Sequence, residues 1–422
     1  MKEIKTATDI NSVIQVPGSK SITQRALIAA ALADGSSTLL GPLASEDTDY
    51  TSRALQAMGI KIITEKNQWQ IKGTGARLQT PDREIFLGNN GTATRFLTSV
   101  AALGQGDFTI TGGERMQERP IGPLIGALKG WGVDIRSSRN TDCPPVQIRA
   151  GGIEGGTTVL AEGKSSQYIS SLLLVSPYAR NRAVLEVRGR VPSKPYIKMT
   201  MAVMRSFGIE ITANRGLNHF ETEQGTYRAR DYLVEGDASS ASYFFAAAAI
   251  TGGKVRVTNI IRDSLQGDTA LLGMLEQMGC TVFHDQGVTV KGPEELQAIE
   301  VDMGDCPDVA PTLAIVAARA RGRTVIKNIA HLRIKECDRI KAVATELTRT
   351  GARVEERKDA LVIHGDPEKP LHGAEIRTYK DHRIAMAFAV LGLVVPRIII
   401  TGEDCVVKSF PGFWEVFKRL RA

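Results

Sequence analysis

Residues 54–62 read Ala-Leu-Gln-Ala-Met-Gly-Ile-Lys-Ile, a helical stretch that ends at a glycine and continues with alternating apolar residues. Glycine after a helix is the usual residue for the left-handed C′ position, and the alternation that follows predicts a strand. The pattern recurs around Gly132, Gly208, Gly279 and Gly351. The sequence therefore predicts a repeated helix–glycine–strand element.

A second pattern has six copies. Short segments with alternating apolar residues, which predict strands, start near residues 37, 108, 184, 255, 324 and 397. Successive starts are 71, 76, 71, 69 and 73 residues apart. An Ala- and Leu-rich segment without a polar face precedes each strand, which is typical of a helix buried on all sides. These segments are residues 27–33, 96–103, 171–179, 244–250, 312–320 and 385–393. Because one such βαβαββ unit can hardly bury its own core, we expect two α/β domains of three repeats each.

The boundary between the domains is expected between the third and fourth units, near residues 232–236. Residues 12–18 and 231–236 resemble each other, since both lead from a strand into a polar turn and a helix. We interpret them as equivalent crossings between domains.

Composition narrows the class of protein. The 422 residues include 53 Lys+Arg and 46 Asp+Glu, a net charge of +7, with 42% hydrophobic and 23% charged residues. These values are typical of a globular protein and exclude disordered and fibrous classes. The longest uncharged apolar stretch, residues 384–396, is 13 residues long, whereas a membrane-spanning helix needs about 20. No apolar segment follows the N-terminal residues, so no secretory signal is expected.

The five cysteines are scattered and form no CxxC pair, which predicts free thiols, no zinc or other metal site and a cytoplasmic location. Aromatic residues make up only 5% of the chain, whereas binders of single strands need stacking platforms. With no Lys/Arg run either, we expect no nucleic-acid partner. The excess of basic residues favours an anionic small molecule.

Polar residues begin each predicted buried helix. Serine, asparagine and aspartate there are explained by capping alone, but a cation opposes the helix dipole and needs another reason, such as a bound anion. The cations at these positions are Lys20, Arg25, Arg95 and Arg383. The second half of the chain instead supplies acids at its helix starts, namely Asp237, Asp308 and Asp381.

Two charge-alternating segments, residues 114–120 and 333–339, each lie between a predicted strand and the next helix. Alternating charge is typical of a solvated helix face, but an anion site would use the same residue types. Lys408, before the last helix, is likewise either a surface residue or a ligand. Both interpretations stay open at this point.

Nine motifs together make the chain from Val16 to Phe413 closely similar to the 5-enolpyruvylshikimate-3-phosphate synthase family. In the order of the family they are PGSKSITQRA (17–26), LGNNGTATR (87–95), RMQERPIG (115–122), SSQYISSLLL (165–174), PSKPYI (192–197), EGDASSASY (235–243), RIKECDRI (333–340), YKDHRIAMA (379–387) and KSFPGFW (408–414). The resemblance implies the enolpyruvyl transferase fold, two inside-out α/β domains that each contain three repeats. It implies domains at 16–234 and 235–422, with residues 1–15 packed on the second.

The resemblance also implies a reaction. The enolpyruvyl group of phosphoenolpyruvate would move to the 5-hydroxyl of shikimate 3-phosphate, with release of phosphate, in the shikimate pathway of aromatic amino acid biosynthesis. The family uses no metal or organic cofactor, so these two small molecules are the expected partners. We expect a monomer without a membrane partner, whose domains close on the anionic substrates.

By resemblance, Asp308 is the base for the hydroxyl, Glu336 is the acid for the methylene, and Lys20 contacts both substrates and shares the proton transfers. The expected phosphoenolpyruvate ligands are Lys20, Gly91, Arg119, Gln167, Arg339, Arg383 and Lys408. The expected shikimate 3-phosphate ligands are Lys20, Ser21, Arg25, Ser165, Ser166, Gln167, Ser193, Asp308 and Lys335. Secondary candidates are Asn89, Thr92, His331 and His382; His331 stands where the family often has Asn.

Two alternatives are a sister enzyme family and a protein of a different class. The sister family that enolpyruvylates UDP-N-acetylglucosamine shares the fold but carries a reactive cysteine in the loop that corresponds to residues 112–120, which here contains none. A non-enzymatic polyanion-binding protein would also be basic, and its affinity would fall steeply with salt.

Overall fold

A computed structural model describes residues 1–7, 9–161 and 165–421 of the chain. The chain divides into two compact units. One is Gly18–Val234, and the other combines Met1–Pro17 with the chain from Glu235 onward. Among the described helices, none combines the length and apolar character needed to cross a membrane.

The α-helices alternate with short strands throughout. The helices are α1 (Lys20–Leu32), α2 (Glu46–Ala57), α3 (Gly91–Ala101), α4 (Gly122–Gly130), α5 (Ser166–Val175), α6 (Lys194–Ser206), α7 (Ala238–Thr251), α8 (Ala270–Gln277), α9 (Ala310–Ala317), α10 (Arg339–Arg349), α11 (His382–Leu391) and α12 (Phe413–Lys418). Short 3₁₀ segments used below are Met116–Glu118, Gly267–Thr269, Pro307–Val309, Ala330–Ile334 and Glu403–Lys408.

The strands are short and form several separate sheets. They are β1 (Lys2–Ile4), β2 (Asn11–Ile14), β3 (Asp34–Leu40), β4 (Lys61–Thr64), β5 (Gln68–Thr74), β6 (Ile85–Phe86), β7 (Gly106–Thr111), β8 (Asp134–Ser137), β9 (Val146–Ala150), β10 (Gly156–Leu160), β11 (Ala183–Val187), β12 (Thr212–Ala213), β13 (His219–Thr222), β14 (Asp231–Leu233), β15 (Lys254–Val257), β16 (Thr281–Phe283), β17 (Val288–Lys291), β18 (Glu300–Asp302), β19 (Gly322–Lys327), β20 (Arg353–Glu356), β21 (Leu361–Gly365), β22 (Ala374–Arg377) and β23 (Ile398–Thr401).

The sheets repeat one arrangement. In the Gly18–Val234 unit the strand orders are β14-β3-β5-β4, β6-β7-β9-β8 and β10-β11-β13-β12. In each, the first two strands are parallel and the next two pairings are antiparallel. The other unit has β2-β15-β17-β16 and β18-β19-β21-β20 in the same arrangement. Its third sheet, β22-β23-β1, ends with the N-terminal strand in the third place.

Two strands pair with strands that are distant from them in the sequence. Strand β2 directly precedes α1, yet it pairs in parallel with β15, with Val13 opposite Arg256. Strand β14 precedes α7 but pairs in parallel with β3, with Tyr232 opposite Leu39. The Gly18–Val234 unit therefore completes one sheet with its own last strand, and the other unit completes one sheet with a strand from its N-terminal segment Met1–Pro17.

The six predicted buried helices are confirmed as α1, α3, α5, α7, α9 and α11, and almost all of their residues are buried. All six begin earlier than the apolar segments that predicted them, and in α1, α3, α5, α7 and α11 the first turn contains the polar residues. Leu27, Leu97 and Leu172 are fully buried, and burial of one leucine contributes about 2 kcal/mol. These helices therefore form the cores around which the sheets lie.

The predicted C′ glycines are confirmed as well. Gly59, Gly132, Gly208, Gly279 and Gly351 all have positive φ angles, from 83° at Gly132 to 103° at Gly279. A residue with a Cβ atom is strained in this region. Glycine is therefore favoured after α2, α4, α6, α8 and α10, the outer helices, where the chain turns into the next strand.

Candidate active site

The starts of α1, α3 and α5 carry the predicted caps in the Gly18–Val234 unit. The Oγ atom of Ser19 accepts from the backbone N–H of Ile22 at 3.5 Å, and Asn90 Oδ1 accepts from Ala93 at 2.9 Å. Ser165 Oγ accepts from Gln167 at 3.3 Å. Capping therefore accounts for these polar residues, as the sequence indicated, and leaves the neighbouring cations to be explained.

Lys20 is the first residue of α1, and its Nζ lies 3.0 Å from Oδ2 of Asp47 in the first turn of α2. The Asp47 side chain is 4% exposed. Its backbone carbonyl accepts from Nδ2 of Asn90 at 2.6 Å, so the starts of α1, α2 and α3 are tied together. Asp47 was not among the predicted site residues, because nothing local in the sequence connects it to Lys20.

Arg119 lies against the start of α3. Its Nη1 donates to the backbone oxygen of Asn89 at 3.3 Å and to Oδ1 at 3.2 Å. A Cβ atom on Gly91 would lie 2.5 Å from Nη2 of Arg119, so glycine allows the guanidinium to approach the helix start. Arg119 is 5% exposed, and its Nε has no hydrogen-bond partner among the described residues.

Arg95, one turn into α3, donates from Nη1 to the carbonyl of Gly91 at 3.1 Å and from Nη2 to that of Pro120 at 2.7 Å. Burial, followed by the neighbouring charge of Arg119, lowers the pKa of Arg95 to about 10, so it remains a cation at neutral pH. The sequence had marked Arg95 as an unexplained cation without naming it as a ligand.

Arg25 is 2% exposed and joins α1 to α5 and α6. Its Nε donates to Thr200 Oγ1 at 2.7 Å, Nη1 to the Ser21 carbonyl at 2.9 Å, and Nη2 to Ser170 Oγ and the Tyr196 carbonyl, both at 3.3 Å. Burial lowers the pKa of Arg25 to about 10. The guanidinium is thus held by neutral oxygens alone among these contacts.

The remaining predicted ligands of this unit lie at helix starts. Gln167 donates from Nε2 to Thr92 Oγ1 at 3.1 Å, which links α5 to α3. Ser166 begins α5 and is buried, and Ser165 caps it. Ser193 is the N-cap of α6, with a left-handed φ of 53° and 6% exposure.

We call Lys20, Arg25, Arg95 and Arg119 the cationic cluster. Asp47 pairs with Lys20, whereas Arg25, Arg95 and Arg119 donate to neutral oxygen atoms in the contacts described above. Buried charges are costly unless they are compensated. This cluster is therefore suited to bind anions.

The second unit, which includes the chain from Glu235 onward, has a site rich in carboxylates around Arg339. The Arg339 side chain is 2% exposed. Nε donates to Asp381 Oδ2 at 2.7 Å, Nη1 to Asp308 Oδ1 at 2.9 Å, and Nη2 to Glu336 Oε2 at 2.8 Å. Arg383 Nη2 donates to the second oxygen of Asp308 at 2.7 Å. We call these five residues the acid–arginine cluster.

Burial disfavours the charged form of Arg339, but the carboxylates of Asp381, Glu336 and Asp308 outweigh that effect and raise its pKa above the ordinary value. Three acids surround two guanidiniums, so this cluster is richer in acidic than in basic groups. Asp381 also caps α11, because Oδ1 accepts from the backbone N–H of Arg383 at 2.9 Å. Asp308 makes no such cap, since α9 begins without one.

Four other predicted residues belong to the same unit. Lys335 follows the 3₁₀ segment Ala330–Ile334, and His331 lies within it; both are partly buried. Lys408 is 5% exposed, so its interpretation as a surface residue is wrong. His382 is fully buried, with Nδ1 3.8 Å from Asp381 Oδ1.

The solvated-face interpretation of residues 333–339 is wrong for Glu336 and Arg339, whose side chains are 10% and 2% exposed. It fits Arg333 better, which pairs with Asp338 and Glu356 in partly exposed contacts. Charge alternation could not separate these residues, because Glu336 and Arg339 face the cluster while Arg333 and Asp338 in the same segment are partly exposed.

Comparison with known proteins agrees with this arrangement. A family model described as EPSP synthase (3-phosphoshikimate 1-carboxyvinyltransferase) matches residues 4–417. A 3-phosphoshikimate 1-carboxyvinyltransferase from Trichormus variabilis is 43% identical over 415 residues, which cover 97% of this chain and 96% of the relative. One from Serratia proteamaculans is 42% identical over 416 residues, with coverage of 97% and 96%. A solved EPSP synthase structure from Acinetobacter baumannii has a TM-score of 0.84 and 29% identity, and covers 99% of this chain and 98% of that chain.

Repeated four-stranded sheets around buried helices, with cations and acids at the helix starts, define an α/β protein of the enolpyruvyl transferase fold. The match extends over nearly the whole length of both chains. The chain belongs to the EPSP synthase family.

Proposed function

We propose that this chain transfers the enolpyruvyl group of phosphoenolpyruvate to the 5-hydroxyl of shikimate 3-phosphate and releases phosphate. Family membership supports the reaction class. The observation that carries the proposal is that one guanidinium, that of Arg339, donates to both Asp308 and Glu336. An addition followed by an elimination needs a base and an acid close together, and this arginine holds two carboxylates side by side.

The cationic cluster would supply most of the anion binding. Both substrates carry phosphate and carboxylate groups, and the arginine fork matches either group with two hydrogen bonds. We propose that phosphoenolpyruvate is bound by Lys20, Gly91, Arg119, Gln167, Arg339, Arg383 and Lys408. We propose that shikimate 3-phosphate is bound by Lys20, Ser21, Arg25, Ser165, Ser166, Gln167, Ser193, Asp308 and Lys335, with Asn89, Thr92, His331 and His382 as secondary candidates.

In the first step Asp308 would accept the proton of the 5-hydroxyl, whose oxygen attacks C2 of phosphoenolpyruvate. The C3 methylene would take a proton from Glu336 and become a methyl group. In the second step the Glu336 carboxylate would take a proton back from this methyl group, the double bond would form again, and phosphate would depart with the bonding electron pair and receive the proton held by Asp308. Lys20 would assist the proton transfers as a cation in contact with both substrates.

Asp308 has both oxygens bound by arginines, which must be loosened before it can act as a base. The anionic groups of phosphoenolpyruvate would compete for Arg339 and Arg383. Substrate binding would thus release the base at the moment when it is needed, because the arginines exchange one carboxylate for another.

We further propose that the two compact units are the two three-repeat domains at residues 16–234 and 235–422, with residues 1–15 belonging to the second. Their matching sheet orders support this assignment. We propose a monomer that acts in the cytoplasm and has these two small molecules as its partners. Neither the UDP-N-acetylglucosamine enzyme nor a polyanion-binding protein is favoured, since the curated relatives match almost end to end under one enzyme name.

The test is a phosphate-release assay with each substrate alone and with both together. We expect phosphate only when phosphoenolpyruvate and shikimate 3-phosphate are both present. Release with phosphoenolpyruvate alone would indicate a phosphatase, and no release with both would overturn the proposal. UDP-N-acetylglucosamine in place of shikimate 3-phosphate tests the sister reaction and should give no phosphate.

A further inference from the structure

A further buried acid lies one side chain away from the acid–arginine cluster. Asp268, in the 3₁₀ segment Gly267–Thr269, is 4% exposed, and its Oδ2 accepts a hydrogen bond from the hydroxyl of Ser239. The same hydroxyl oxygen accepts from Nη2 of Arg383 at 3.4 Å. Since this Nη2 also donates to Asp308 at 2.7 Å, one hydroxyl connects Asp268 to the arginine that binds Asp308.

The two elements that carry Asp268 and Ser239 are fixed to each other by Gln266. Its Oε1 accepts from the backbone N–H of Ala238 at 3.0 Å, and its Nε2 donates to the carbonyl of Gly236 at 2.7 Å. The start of α7 therefore cannot move independently of the 3₁₀ segment. A change in the charge or position of Asp268 would therefore shift Ser239 and, through its hydroxyl, Arg383.

We propose that Asp268 is a positioning residue of this reaction. It acts through Ser239 on the orientation of the Arg383 guanidinium and on the negative charge next to it. The inference rests on the proposed function, because Arg383 is there a ligand of phosphoenolpyruvate. The hydroxyl of Ser239 links Asp268 to Arg383.

The environment of Asp268 supports this role. Burial, followed by the negative charge of Asp308, raises the pKa of Asp268 from 3.8 to about 7, against the opposing effects of Arg383 and Ser239. Its Oδ1 is buried without a hydrogen-bond partner among the described residues, which favours the neutral acid over the anion. The titratable and charged groups that face it are Asp237 at the start of α7, Cys306 and Asp308 before α9, and Arg383 in α11.

The two protonation states would affect Arg383 differently. While Asp268 is neutral, Asp308 is the nearest negative charge to that guanidinium, which leaves it attractive to an anionic substrate. When Asp268 ionises, a second negative charge lies one hydroxyl away and competes with phosphoenolpyruvate. The KM for phosphoenolpyruvate should therefore rise as the pH passes through the pKa of Asp268.

The test compares the wild type with Asp268→Asn, which keeps an acceptor for Ser239 but cannot ionise. We expect the two KM values for phosphoenolpyruvate to be similar at acidic pH and the wild-type value to be about fivefold higher at alkaline pH. A purely structural role would give a KM ratio that does not change with pH, and that result would overturn the proposal.

Two further variants sharpen the test. Ser239→Ala removes the hydroxyl that connects Asp268 to Arg383, so the rise in KM with pH should be smaller than in the wild type; an unchanged rise would contradict the role of the hydroxyl. Glu346→Gln is the matched control. Glu346 is a fully buried acid that accepts hydrogen bonds from the Tyr379 hydroxyl and from the backbone N–H of Arg377. Its KM ratio to wild type should not change with pH.

Urea unfolding supplies a measurement that does not depend on activity. The folded chain holds the Asp268 proton more tightly than the unfolded chain, so this residue's contribution to stability falls as the pH rises from about 4 to about 7. Asp268→Asn should lack that fall, and identical pH dependences would contradict the proposal. If the wild type releases no phosphate with both substrates, the proposed function fails instead, and this stability comparison still decides whether Asp268 ionises.

Discussion

Asp381 and Arg339 form a buried ion pair in which Oδ2 lies 2.7 Å from Nε and both side chains are at most 2% exposed. The pair sets the orientation of the guanidinium, because Nε is committed to Asp381 while Nη1 and Nη2 turn toward Asp308 and Glu336. The same aspartate caps α11. A single side chain thus fixes both a helix start and the arginine that holds the two proposed catalytic acids.

Asp381→Ala should lower the free energy of unfolding by about 3 kcal/mol, because it removes the carboxylate that binds Nε of the buried Arg339 and, with it, the cap of α11. Asp381→Asn should lose less, since the amide oxygen can still cap α11. Urea denaturation measures both. The control is Glu415→Ala, which breaks an exposed pair with Lys418 and should leave the free energy of unfolding almost unchanged. Equal losses for Asp381→Ala and Glu415→Ala would contradict the structural role.

Asp308→Ala and Glu336→Gln should each lower kcat by about 10²- to 10⁴-fold, the usual contribution of a general acid or base. Substrate dissociation constants, measured by calorimetry, should change much less. Glu356→Gln serves as a control, because Glu356 pairs with Arg333 in a partly exposed contact. If binding falls as much as turnover, Asp308 and Glu336 would be positioning rather than catalytic residues.

Gly91→Ala should raise the KM for phosphoenolpyruvate by about tenfold, because the new methyl group would lie 2.5 Å from Arg119 Nη2 and 2.8 Å from Arg95 Nη1. The KM for shikimate 3-phosphate should change little. Gly126→Ala in α4 is the matched control, since a Cβ atom there meets nothing within 4 Å. An unchanged KM in Gly91→Ala would remove Arg119 from the proposed set of phosphoenolpyruvate ligands.

The helices and turns of this fold could largely be predicted from the sequence. Buried helices were visible as apolar segments without a polar face, and each outer helix ended at a glycine that needs a positive φ. The pairing of β2 with β15 and of β14 with β3 could not be predicted. Each of these strands is only three or four residues long, and its partner is chosen by packing between segments that lie far apart in sequence.

The candidate site likewise contains some residues that could be predicted from the sequence and others that could not. Cations at helix starts were recognisable because they oppose the helix dipole. Asp47 and Asp268 were not, since each looks like an ordinary acid near a helix start until the fold brings it to Lys20 or Ser239. Burial of Lys408 was equally invisible, because a single lysine before a helix is normally a surface residue.

Asp47→Asn should lower kcat/KM by about tenfold, because Lys20 loses the carboxylate that holds its ammonium group at 3.0 Å. Asp49→Asn in the same helix is the control, since Asp49 is half exposed and pairs with the exposed Arg53. Steady-state kinetics with both substrates varied would show the effect. Equal activity in the two variants would mean that Asp47 does not position Lys20 for the reaction.

The most direct measurement follows the reaction by phosphorus NMR with both substrates present. For each molecule of phosphoenolpyruvate consumed, we expect one inorganic phosphate to appear and one shikimate 3-phosphate signal to be replaced by that of its enolpyruvyl ether. Phosphate that accumulates while the shikimate 3-phosphate signal stays unchanged would mean hydrolysis rather than transfer. That result would contradict the assignment of both clusters to enolpyruvyl transfer.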